Sequence, residues 1–147
     1  MIGETFGFTN GIITMLALIT GLYATKVTKI GVIGAILALL ITDPLSDAYS
    51  MYTSHKLIDE KSAFDVGKKA FLTQAILQLF FLMIIIFSPT LKTGLIISYI
   101  FGISISIIYD RYKKIQLKDS IKNLSYIFIL VILTYVIDKL VYKFFDK

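Results

Sequence analysis

No charged residue interrupts the chain between Thr5 and Thr25. As a helix, a stretch of that length crosses a hydrocarbon core of about 30 Å, and in lipid only a helix or a closed barrel satisfies every backbone N–H and C=O. Four further apolar runs follow, so the expected fold is all-α. It is one integral membrane domain over 1–147, a bundle of five transmembrane helices at about 5–25, 30–52, 70–88, 93–109 and 123–142. Charged residues make up 17% of the chain, against about 25% in ordinary globular proteins, which excludes a soluble domain. The last run is the exception, because Asp138 and Lys139 must snorkel or pair near its end.

The polar segments between these runs orient the bundle. Those after the second and fourth spans carry Lys56, Lys61, Lys68, Lys69, Arg111, Lys113, Lys114, Lys118 and Lys122, whereas the opposite ones carry only Lys26, Lys29 and Lys92. Cationic loops stay cytoplasmic, so a multi-pass protein with a cytoplasmic N-terminus and a luminal or extracellular C-terminus is expected. Lys139, Lys143 and Lys147 run against that orientation. The net charge of +5 reads as membrane topology and contact with the lipid bilayer, and no nucleic-acid partner is expected. With no cysteine, disulfides and thiolate metal sites are excluded. Phosphate-binding glycine loops, hydrolase elbows and zinc-protease motifs are missing, so neither an enzyme nor a resident cofactor is expected.

Within the second span lies TDPLSDAYSMYTSH, Thr42 to His55. Asp43, Asp47, Met51 and His55 step by four residues and share one helix face over roughly 18 Å. Pro44 cannot donate to the carbonyl of Leu40, which frees an oxygen beside the first acid. A charged residue at mid-bilayer costs at least about 2.5 kcal/mol, so membrane acids default to function. Two neighbouring carboxylates in low dielectric do not both stay ionised in an empty site. One holds a proton that an arriving divalent cation displaces, which makes Asp43 the proton-coupled group. The plain alternatives are that Asp47 pairs with a lysine or caps a helix, that Met51 is core filling and that His55 is solvated. His55, Asp59 and Glu60 form a candidate receiving site at the cytoplasmic end. Gln74 and Gln78 either hydrogen-bond within the bundle or line the path, and Asp110 and Arg111 are expected in water at the membrane face.

On the first span, Gly7 and Gly11, extended back to Gly3, form a small-residue face suited to dimer packing. Asn10 beside them is either an interhelical hydrogen-bonding group or a neutral ligand facing the acids. The run TNGIITMLALITGLYA resembles the first helix of the vacuolar iron transporter family, whose pattern is Ser-Asp-Gly-Leu, then Ala-Leu and Gly-Leu. Thr9, Asn10, Gly11 and Ile12 fall on the first four positions, Ala17 and Leu18 on the next pair, Gly21 and Leu22 on the last. That family also has an acid eight residues before the methionine of an Ile-Ser-Met triplet, matched by Asp43 and by Tyr49, Ser50 and Met51.

The resemblance implies a homodimer that moves Fe2+ or Mn2+ out of the cytosol in exchange for protons. Its metal ligands would be Asn10, Asp43 and Met51, with Asp47 added from the stripe. The match covers mainly the first two helices. Asn10 replaces the family's acid, Met15 stands where many members have proline, and the glutamate-rich metal-binding domain between spans two and three is missing, making this a short form. A passive cation channel and a non-transporting membrane adaptor remain the alternatives.

Overall fold

α1 (Ile2–Ala24) is the helix that touches all the others: α2 (Lys29–Lys56), α3 (Glu60–Phe87), α4 (Leu91–Tyr112) and α5 (Leu117–Phe145). The computed structural model describes residues 2–145, so Lys147 of the cationic tail lies outside the described residues. All five helices are long and apolar enough to cross a membrane, which makes this a multi-pass membrane protein by length and composition. The core follows from α1's central place. Phe8, Ile12, Met15, Leu16 and Ile19 are buried against Val32 and Ile36 of α2, Leu77, Phe81, Leu82 and Ile85 of α3, Leu95 of α4, and Ile127 and Val131 of α5.

α1 and α3 run parallel and meet through matched four-residue steps. Gly3 lies on Val66, Gly7 on Ala70 and Gly11 on Gln74. A Cβ on Gly3 or Gly7 would fall inside 3.0 Å of the carbonyl oxygen opposite, so only glycine admits this approach. The glycine face is therefore used within one chain. This corrects the expectation that Gly7 and Gly11 pack a dimer.

The polar segment after the second span is helical for most of its length. α2 continues to Lys56 and α3 begins at Glu60, ten residues ahead of the expected start at Ala70. Alternating charges suit a helix standing in water, and Asp65 pairs with Lys69 at 2.5 Å across one turn. Side chains close the helix ends. Thr28 accepts from the Gly31 N–H, Thr90 and Thr93 form a reciprocal capping box, and Lys29 Nζ donates to the Ile86 and Ser88 carbonyls that end α3. α1 and α4 end in left-handed turns at Lys26 (φ 58°) and Lys114 (φ 56°), positions that glycine occupies at less cost.

Asp59 caps α3 by accepting from the Lys61 N–H at 3.1 Å. The Ser62 hydroxyl, donating to its other oxygen, holds the Asp59 carboxyl below the ordinary carboxylate range. A depressed folded value stabilises the fold above the unfolded aspartate's pKa of about 4, and that stabilisation is lost as pH falls through the lower folded value. Amide exchange over residues 61–63 should therefore accelerate below about pH 4. In Asp59→Ala it should already be fast at neutral pH.

Candidate functional site

Near the middle of the bundle, α1, α2 and α3 bring five polar side chains together. Gln78 Nε2 donates to Asp43 Oδ2 at 2.7 Å, and Gln74 Nε2 donates to Oδ2 of both Asp43 and Asp47 at 2.8 Å. Asn10 Nδ2 donates to Asp47 Oδ2. Gln74 and Gln78 are fully buried, whereas Asn10, Asp43 and Asp47 are partly exposed. Asp43 and Asp47 stand about 21 and 27 Å along α2 from Lys29, in the half of the helix nearer His55.

The local sequence explains the convergence. Asp43 and Asp47 are one helical turn apart, and so are Gln74 and Gln78 on the antiparallel α3. Two ladders of equal pitch lie rung to rung. Gly3 and Gly7, bare of side chains, bring α1 onto α3, and Asn10 on the following turn reaches Asp47.

The electrostatics are lopsided. Among the described residues every ion pair lies elsewhere: Lys56–Glu60, Lys69–Asp65, Lys113–Glu4 and Lys122–Asp119. The acids are faced only by neutral amides, so the alternative in which Asp47 pairs with a lysine fails. The Oε1 atoms of Gln74 and Gln78 are buried without a hydrogen-bond partner. A buried amide oxygen left unpaired costs about 1–3 kcal/mol, and two such atoms one turn apart mark a place where a donor or a cation would be welcome.

Other expected site residues do not join the cluster. Met51 lies a further turn along α2, partly buried, with no hydrogen bond to the acids. His55 Nε2 meets the Ser62 hydroxyl at 3.0 Å, and that hydroxyl donates in turn to the Asp59 carboxylate. Glu60 pairs with Lys56 at 3.4 Å. Among the described residues no three His, Cys, Asp or Glu side chains gather around one metal position. His55, Asp59 and Glu60 thus stand at the helix–helix turn between α2 and α3, held there by a cap and an ion pair.

Asp110 is also misplaced by the sequence reading, being 7% exposed rather than solvated. It lines a cavity of about 260 Å³ with Ser106, Asn123 and Tyr126. Its place between an apolar run and a basic loop suggested the interface, but α5 folds over it.

Beside the cluster, α2 turns an uncovered face outward. Gly34, Ala38, Thr42, Ser46 and Ser50 repeat every four residues, and all are exposed. Nothing lies within 4 Å of a Cβ placed on Gly34. Thr42 directly precedes Asp43 and Ser46 directly precedes Asp47, so the stripe borders the acids.

The fold and cluster together define a bundle of five helices, each long and apolar enough to cross a membrane, with a carboxylate–amide site between α1, α2 and α3. Compared with protein-family models, curated proteins and solved structures, the chain matches none.

Proposed function

We propose that this protein moves a divalent cation of the Fe2+ or Mn2+ type across the membrane, out of the cytosol and in exchange for protons. One observation carries the reading: two carboxylates within a helix long and apolar enough to cross a membrane are faced only by neutral amides. Such acids need compensating positive charge, and a proton and a metal ion are alternatives for supplying it. Binding one disfavours the other, which is the coupling an exchanger requires.

The donor chemistry agrees. Turning an amide about its last side-chain bond exchanges N–H donors for a carbonyl oxygen. Asp43 and Asp47 with the oxygens of Asn10, Gln74 and Gln78 then form an all-oxygen set, which suits Mn2+ and tolerates Fe2+. A site with two acids and no third holds a cargo ion without trapping it. The likeness of α1 and α2 to vacuolar iron transporters supports the same reading, as does the excess of lysine and arginine at the His55 end for orientation.

The proposed assembly is a homodimer packed through the exposed α2 stripe. Small residues at a four-residue repeat let two backbones approach closely, and this face sets the two sites side by side. The chain has no cysteine, so single-cysteine oxidation tests the contact cleanly. Ser46→Cys should form disulfide-linked dimers in membranes, and Leu133→Cys on α5 should not. The reverse pattern would place the partner on α5.

Transport itself is tested in proteoliposomes with an acidic lumen, following Mn2+ entry and lumenal pH together. Metal uptake should raise the lumenal pH in step. Uptake at equal pH on both sides, with no proton movement, would indicate a passive channel.

A further inference from the structure

At the opposite end of the bundle from His55, a cavity of about 1080 Å³ opens between the end of α1, the turn into α2, the start of α4 and the last turns of α5. Three lysines, Lys26, Lys139 and Lys143, and three tyrosines, Tyr23, Tyr135 and Tyr142, line it, and aliphatic side chains complete the wall. The left-handed turn at Lys26 brings its ammonium over the Tyr142 ring, 4.6 Å from the centroid. Lys139 Nζ stands 5.6 Å from the centre of the Tyr135 ring. Lys139 and Lys143 are one turn apart on α5, so they share a face.

Among the described residues no carboxylate offsets this charge: no acid lines the cavity and none of the three lysines forms an ion pair. Asp138, next to Lys139 in sequence, is packed onto Gly21 instead. Lys29, also at this end, is occupied with the carbonyls that close α3. Like charges held around one hollow repel each other unless an anion sits between them. Ammonium and phenol groups donate hydrogen bonds, and their partner of choice is a group with several anionic oxygens.

We propose that this cavity binds a phosphate-bearing anion, with Lys26, Lys139 and Lys143 on the phosphate oxygens. The size and the aliphatic wall suit the headgroup and first acyl carbons of an anionic lipid, and free inorganic phosphate offers the same chemistry. The site is separate from the Asp43–Asp47 cluster and stands whether or not that cluster carries metal. It also accounts for the lysines that run against the charge asymmetry of the other loops.

The test uses the full chain in detergent. Native mass spectrometry compares retention of phosphatidylglycerol with phosphatidylcholine, and thermal melting is followed against inorganic phosphate and pyrophosphate. Each lysine near a lipid phosphate contributes about fivefold in affinity, so Lys26→Gln/Lys139→Gln/Lys143→Gln should weaken binding about a hundredfold. Lys26→Gln alone, at about fivefold, carries the test if the triple variant fails to fold. Preferential retention of phosphatidylglycerol, lost in these variants, supports the proposal with lipid as the source. A melting shift with phosphate that the variants lack supports it with a free anion as the source. Equal retention in wild type and variants, with loss instead in Lys114→Gln/Lys118→Gln/Lys122→Gln, would overturn it. Indifference to both lipid charge and phosphate would overturn it as well.

Discussion

Proteoliposomes carrying Asp43→Asn should take up Mn2+ at background rates, at least ~100-fold below wild type, while the protein still elutes as a folded bundle. The magnitude follows from position. Loss of a group that merely supports a metal ligand costs about 10–100-fold in affinity, and Asp43 is proposed to touch the ion itself. The asparagine keeps the shape and can still meet the Gln74 and Gln78 amides, so the fold should survive. What disappears is the negative charge and the proton it exchanges. Proton movement and metal movement should therefore fail together. Metal uptake that persists at wild-type rate without lumenal alkalinisation would remove Asp43 from the mechanism.

Gly7→Val should abolish folding, and Gly34→Val should not. At Gly7 a Cβ would press into the Ala70 carbonyl oxygen, and neither α1 nor α3 backbone can yield without opening the core. Overpacking of this kind costs about 1–3 kcal/mol and more where backbone must shift. It would also draw Asn10 away from Asp47. Gly34 faces open space, so valine there leaves the single chain intact. If α2 packs the dimer, Gly34→Val should dissociate it, so that gel filtration reports a folded but smaller species. Normal expression and elution of Gly7→Val would contradict the parallel α1–α3 packing.

The hydropathy of the chain carried the five helices because a bilayer leaves so few alternatives. Helix ends were harder. The stretch from His55 to Lys69 reads as a polar connection, yet outside the lipid its charges pair across helical turns, and only three residues separate α2 from α3. Gly3, Gly7 and Gly11 were legible as a packing face, but a repeat of small residues does not name its partner. α3 offers Ala70 and Gln74 at the same spacing, and it took the face.

The acids of α2 stood out by their cost in lipid. Their partners did not, because the rotation of α3 about its axis decides whether Gln74 and Gln78 meet them or one another's neighbours. The shared four-residue spacing of both pairs was the available signal. The exposed stripe from Gly34 to Ser50 was missed for a similar reason. Ala, Thr and Ser count as apolar or neutral in a hydropathy reading, and only burial shows that nothing covers them.

Binding of Mn2+ to the purified protein, located by anomalous scattering in crystals, tests the central claim most directly. The account predicts a peak between the carboxylates of Asp43 and Asp47, occupied at neutral pH, emptied in acid and lost in Asp43→Asn. A structure grown in excess Mn2+ with the Gln74 and Gln78 amides still donating to both acids, and no peak beside them, would contradict it.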